Sequence, residues 1–226
     1  MIARYVTSTY EIADAYKEIL LCAKEAKVKI EPSDDNSTKI AFFEKKKRPF
    51  EFFVEDGILT IKSTKSKWYH ALKIGIDKSE IKLSIPKSML EAISVNSNVG
   101  HVDISSITCK GTITVQTNTG KINLENVCCK NLNSKGNTGA VSLNKIVAQD
   151  SIVIKRNTGK VLLNDCTSPD IFVKCNTGGV YGKLPSNTAF TVSTKTGKIQ
   201  IPKPPVGEAI VGRCEIKTNT GKIIFE

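Results

Sequence analysis

The sequence predicts an all-β protein built as a single-stranded parallel β-helix, or β-solenoid, with about 19 to 20 residues per coil and the right-handed winding that parallel crossovers adopt by default. Three observations predict it. Seven glycines, Gly100, Gly120, Gly139, Gly159, Gly178, Gly197 and Gly221, recur at spacings of 20, 19, 20, 19, 19 and 24 residues. Five of them close an identical Asn-Thr-Gly triplet, and the other two keep its shape as Asn98-Val99-Gly100 and Lys195-Thr196-Gly197. Apolar residues then fall at fixed offsets from each glycine, at minus 7, minus 5, plus 2, plus 4 and usually plus 7, as in Ile113, Val115, Ile122, Leu124 and Val127 around Gly120.

Those offsets describe two short period-2 runs joined by a tight turn, which is the pattern of two half-buried strands. Spacings of three and four, which a helical solenoid needs, are missing. Ser134 and Gly182 are the two clear departures at inward offsets. The turn requires a residue at positive φ, where glycine carries no Cβ penalty. Asparagines stacked on successive coils can bond one another as a ladder, so the triplet needs no ligand to account for it. An antiparallel up-and-down sheet is the rival arrangement, but it would lose the shared inward offsets.

The repeated NTGKI and NTGKV coils follow an extended segment, IKLSIPKSMLEAISVNSNVGHVDI, and together these resemble the bacterial putative-adhesin family of β-solenoid domains. The resemblance extends to VKIEPSDDNSTKIAFFE and VEDGILTIK and so covers nearly the whole chain. It implies a single-stranded β-helix whose molecular function and partner are unassigned, and it carries no catalytic residue across. Many members of that family are envelope-associated, and this chain departs from them in showing no export signal within residues 1–16. If Met1 is the native start, the expectation is a cytoplasmic protein, able to lie at the membrane periphery; a signal preceding Met1 would place it in the cell envelope. No stretch approaches the roughly 18 apolar residues of a membrane span.

The first half, residues 1–90, reads as an irregular β region joined to the seven coils of residues 91–226 in one elongated domain. Ile19, Leu21, Ala26, Val28 and Ile30 align with Ile93, Val95, Gly100, Val102 and Ile104, which marks residues 18–31 as a degenerate first coil. Strands are expected at 39–44, 50–54, 58–63 and 81–85, with a turn at Glu55-Asp56-Gly57 and a loop or short helix at 66–72. This half caps one end of the stack, because atypical end units cover exposed sheet edges. At the other end the chain stops in the second strand of the Gly221 coil. That predicts an open edge there, to be covered by residues 202–207 or by a second copy of the chain.

The net charge is +11, from 33 Lys and Arg against 22 Asp and Glu. Lysines concentrate at two outward offsets: plus 1, with Lys121, Lys160, Lys198 and Lys222, and minus 4, with Lys135, Lys155, Lys174 and Lys217. Stacked at about 4.8 Å, they form a basic stripe along one edge. The stripe either solubilises the protein or meets an anionic polymer or membrane surface. Nucleic acid is disfavoured, since aromatics are only 6% of residues and do not interleave with the lysines. A second outward feature, Val153, Leu162, Phe172 and Tyr181, forms an apolar patch to be covered by the first half of the chain or by a partner.

Seven cysteines without paired spacing suit a reducing compartment. Cys166 and Cys214 fall at inward offsets. Cys109 and Cys129 share offset plus 9 on adjacent coils, close enough for a bridge or a metal in principle, although Cys128-Cys129 lacks zinc-ligand spacing. No metal or cofactor is expected. Paired carboxylates for acid–base work are also missing: Asp103, Glu125, Asp150, Asp165 and Asp170 occupy scattered offsets, and His101 stands in the plus 1 column. The expectation is a non-enzymatic interaction or scaffold module. The alternatives are a carbohydrate-active enzyme on a β-helix and a stress-linked protein docking on the inner membrane surface.

Overall fold

A computed structural model describes residues 5–45, 50–64, 79–87, 90–203, 207 and 209–226. The expected loop or helix at 66–72 lies outside these residues, as do residues 204–206 of the segment 202–207. The described chain is all-β. In the first half the strands are β1 (Tyr5–Ile12), β2 (Glu18–Glu25), β3 (Lys27–Pro32), β4 (Thr38–Lys45), β5 (Phe50–Glu55), β6 (Ile58–Ser63) and β7 (Glu80–Ile85). The glycine coils then supply β8 (Leu90–Val99), β9 (Val102–Ser105), β10 (Cys109–Thr119), β11 (Ile122–Thr138), β12 (Val141–Thr158), β13 (Val161–Asn164), β14 (Asp170–Thr177) and β15 (Val180–Lys183). The last four are β16 (Thr188–Thr196), β17 (Ile199–Gln200), β18 (Gly212–Thr220) and β19 (Ile223–Phe225).

Successive coils pair in parallel, residue for residue. Ile113 lies beside Ile93 on one side and Leu132 on the other, and Ile122 lies between Val102 and Val141. The inward offsets are closed to solvent: Ile113, Val115, Leu124 and Val127 are all 0% exposed. The two departures behave differently. Ser134 is buried with an unpartnered hydroxyl, whereas Gly182 keeps φ 158° because a Cβ there would meet the Leu163 carbonyl oxygen at 1.8 Å.

The same steric reason governs the turn glycines. Their φ values lie between 131° and 156°, and a Cβ on Gly120 would stand 1.7 Å from the carbonyl oxygen of Gly100 one coil away. Glycine is therefore required by the approach of the neighbouring coil as well as by the turn. A second corner, six residues after the glycine, was not legible in the sequence. Ser106, Asn126, Lys145 and Asp165 all take φ between 51° and 56° there, with side chains other than glycine in the left-handed region.

The sheet is mixed, so the chain is not one parallel helix throughout. β2 and β3 pair in parallel with β8 and β9, setting Ile19 opposite Ile93 and Val28 opposite Val102. Beyond them β6 and β7 add two more parallel strands. The remaining pairs, β1 with β4, β4 with β7 and β5 with β6, are antiparallel. The β5–β6 hairpin turns at Asp56 and Gly57, both at positive φ (49° and 74°), which is the type I′ geometry suited to a two-residue loop.

The far end also departs from expectation. β18 pairs with β14 on one side and β16 on the other, and β19 lies between β15 and β17. The Gly221 coil is thus inside the stack, and the open edge belongs to the Gly197 coil, whose β16 pairs only with β18 among the described strands. A second copy joining through the final strand is ruled out on this geometry, because both edges of β19 are already paired. The longer spacing of 24 residues before Gly221 reflects the return path from β17 to β18.

Candidate anion-binding groove

Strand alternation turns the minus 4 offset outward, and the parallel register lines it up. Lys135 on β11 faces Lys155 on β12, Lys155 faces Lys174 on β14, and Lys174 faces Lys217 on β18. Four lysines therefore stand on four consecutive strands at about 4.8 Å spacing. Lys217 is neutralised by Glu215 at 2.5 Å. Among the described residues Lys135, Lys155 and Lys174 have no acidic partner, and unit charges so close repel by roughly 1 kcal/mol per pair even in water.

Lys135, Lys155 and Lys174 line a groove of about 1270 Å³ that crosses the strands. One wall is the asparagine row of the triplets, whose side-chain amides donate to one another: Asn118 to Asn98 at 3.1 Å, Asn137 to Asn118 at 2.6 Å and Asn176 to Asn157 at 2.7 Å. The end nearest the first half is closed by Lys24, Glu51, Lys62 and Ser63, with Lys62 and Glu51 ion-paired at 3.3 Å. Among the described residues no aromatic side chain lines it.

The plus 1 lysines do not continue this row. Lys121, Lys160, Lys222 and Lys198 are exposed on the far side of the turn, and the column is interrupted where Ala140 and Gly179 take the offset. Lys160 lies over the Tyr181 ring at 4.7 Å from its centroid. The single stripe expected from the sequence is thus two rows, of which only the minus 4 row is unbroken over four coils.

The apolar patch also divides. Val153 faces Phe172 across β12 and β14, while Leu162 faces Tyr181 across β13 and β15, on the other side of the turn. All four are half-buried. The strands of the first half stack at the end of the coils and do not lie over these side chains.

Sequence reading missed Arg156. It occupies the inward minus 3 offset, where other coils carry Ser97, Thr117, Cys175 and Thr218, and it is only 3% exposed. Its Nη1 donates to Thr117 Oγ1 at 3.0 Å, two coils away. The side chain reaches that far by crossing Gly136, where a Cβ would stand 1.8 Å from Nη1. Nε and Nη2 have no partner. Burial pushes the guanidinium down to about 10, and Cys175 acts in the opposite direction, so the group remains a cation at neutral pH. An arginine in a column of small residues, with glycine one coil before it, was the signal available.

The cysteines do no chemistry of this kind. Cys109 and Cys129 are both buried and free, and burial pushes the Cys129 thiol up to about 12. Cys166 and Cys214 are buried thiols pushed up to about 12 by the same effect. Among the described residues no group of three or more His, Cys, Asp or Glu side chains is placed to hold a metal ion. Among the same residues no helix is long and apolar enough to cross a membrane.

Stacked strands with a mixed-sheet end and a groove on the outer face define an all-β, solenoid-like protein. The chain belongs to the Toastrack DUF4097 family, whose pattern matches residues 16–223. Its fold is similar to the crystal structure of a putative adhesin from Bacteroides fragilis NCTC 9343, at 17% identity and TM-score 0.55, covering 99% of this chain and 97% of that one. It is similar also to a putative adhesin from Parabacteroides distasonis ATCC 8503, at 15% identity and TM-score 0.54, covering 98% of each chain. No curated protein sequence matches the chain. At such identities the likeness establishes the fold alone.

Proposed function

We propose that the protein is a non-enzymatic binding module, wound as a right-handed solenoid, that holds a linear anionic polymer along the groove lined by Lys135, Lys155 and Lys174, with Lys217 continuing the row on the next strand. The observation that carries this reading is the register: four lysines on four consecutive strands, three of them without a counter-charge. A polymer with regularly spaced charges would relieve their repulsion and release counterions on binding. The groove is concave and runs across the strands, which suits a chain; a flat bilayer would meet the turn ridge and the interrupted plus 1 row instead. Single-stranded nucleic acid is the weaker fit, because among the described residues the lining offers no aromatic ring for bases to stack on. Binding without chemistry is supported by three acids of the coils that face bases: Asp103 pairs with Lys27, Asp150 with Lys130 and Asp170 with Arg213.

The test is anisotropy of a labelled linear polyphosphate titrated with the full chain at low and physiological salt. Binding should weaken as salt rises and disappear in the triple variant Lys135→Glu, Lys155→Glu, Lys174→Glu. The variant Lys121→Glu, Lys160→Glu, Lys198→Glu should bind nearly as well as the unaltered chain. Sedimentation with acidic liposomes in place of polyphosphate binding, abolished by the second variant and not the first, would move the site to the turn ridge and defeat this reading.

A further inference from the structure

The groove is not uniform along its length. One column of outward side chains runs through it, and the register fixes their order: Asn96 on β8 faces Gln116 on β10, Gln116 faces Lys135 on β11, and Lys155 and Lys174 follow. Asn98 and Asn118 line the stretch beside Asn96 and Gln116. The column therefore presents amides over β8 and β10, and lysines over β11, β12 and β14. At the closed end, beyond the amides, Lys62 is ion-paired with Glu51, and Lys24 is the other cation of the lining there.

A bare polyanion matches only the lysine half. Lysine offers donors alone, and phosphate or carboxylate oxygens accept alone, so the two are complementary. A side-chain amide offers two N–H donors and an oxygen acceptor, and an anion has no hydrogen to give to that oxygen. A hydroxyl group both donates and accepts, so it satisfies both ends of the amide. The bonds within the asparagine row leave this capacity in place: Asn118 donates one N–H to Asn98 and accepts one from Asn137, which leaves it a second N–H and a second lone pair. Asn96 makes only a long contact of 4.0 Å with Cys22 Sγ, and Gln116 is exposed. An anionic unit lying over β8 and β10 would find no lysine in the column and would approach the Glu51 carboxylate.

We infer that the groove takes an acidic glycan, with an uncharged, hydroxyl-bearing sugar held among Asn96, Asn98, Gln116 and Asn118 and the acidic groups of neighbouring sugars held by Lys135, Lys155 and Lys174. The inference rests on the polymer-binding reading and specifies the polymer as one that carries hydroxyl groups beside its charges. Gln116 and Lys135 stand on adjacent strands, about 4.8 Å apart, so the charged and uncharged parts belong to one continuous ligand.

Anisotropy of the full chain with two labelled probes at physiological salt tests the subsite. One probe is a hyaluronan oligosaccharide, in which carboxylated and uncharged sugars alternate; the other is linear polyphosphate carrying the same number of charges. The unaltered chain should bind the glycan more tightly, although polyphosphate is the denser anion. The double variant Asn96→Ala, Gln116→Ala should lose about tenfold in glycan affinity, because two amide partners are removed, and should keep its polyphosphate affinity. Gln116→Lys extends the cation row by one strand, and it should strengthen polyphosphate binding while weakening glycan binding. Glycan bound no more tightly than polyphosphate would overturn the subsite, as would an equal change in both probes, or none, in either variant. Polyphosphate binding that persists in that case and still depends on Lys135, Lys155 and Lys174 would leave the lysine row standing without the amide subsite. Binding of neither probe would refute the row and the subsite together.

Discussion

The two ends of the coil stack solve the same problem differently. Beside the β2–β3 coil, β6 and β7 add parallel strands and β1, β4 and β5 close over them antiparallel, with Tyr10, Phe42, Phe50 and Phe52 packed ring to ring at 5.0 to 6.1 Å. At the opposite end β16 and β17 are simply the last strands. Phe190 reaches back to Phe225 at 5.1 Å, Val192 is half-buried, and Ile199 is 41% exposed. An irregular sequence buys closure at the first end; among the described residues a regular coil leaves its edge free at the second. The contrast also separates the last two coils: the Gly221 coil is paired on both sides, and the Gly197 coil on one.

The largest effect should come from the closed end. Phe42 is 1% exposed at the centre of the aromatic cluster, and Phe42→Ala should cost about 4 kcal/mol by chemical denaturation, as large-to-small changes in packed cores do. Phe190→Ala, at the open end, should cost less than about half of that. Equal losses would mean that the open end is as well packed as the closed one.

A smaller effect separates the last two coils. Ile216 is 0% exposed on β18, between β14 and β16, and Ile216→Ala should destabilise by about 3 kcal/mol. Val192→Ala, one strand further out, should cost about 1 kcal/mol or less. If the Gly221 coil were the true edge, the order of the two would reverse.

The smallest effect is a pH dependence confined to the closed end. Glu31 on β3 accepts from Lys29 at 2.5 Å and from Lys82 of β7 at 2.6 Å. Burial opposes its ionisation, but the two lysine hydrogen bonds outweigh burial and hold the carboxyl below its ordinary value of 4.5. A depressed folded-state pKa means that Glu31 adds stability above that ordinary value and loses it as pH falls through the folded one. The Glu31→Gln variant should therefore show a slightly flatter acid limb in Tm against pH than the unaltered chain. No difference between the two limbs would remove Glu31 from the account of how this end is held.

Some of the site could be read without coordinates. Lys135, Lys155, Lys174 and Lys217 share an offset, and strand alternation alone turns them outward. The division of the lysines into two rows was hidden, since offsets minus 4 and plus 1 differ by the direction of the turn at the glycine, and that depends on how the neighbouring coil approaches. Arg156 was hidden for a related reason. Its position reads as inward, and only the packed structure shows that the missing Cβ of Gly136 opens a path to Thr117.

The sequence by itself determined the length of the coil, the side chains that face inward and the place of each glycine turn, because all three follow from local alternation and from a backbone conformation that only glycine takes easily. The tertiary structure decided the order of the coils at the far end and the antiparallel closure of the first half. Coils with the same inward offsets can pair in any order without changing a single local preference. Their order is settled by what each edge gains from a neighbour and by the length of chain free to cross from β17 back to β18.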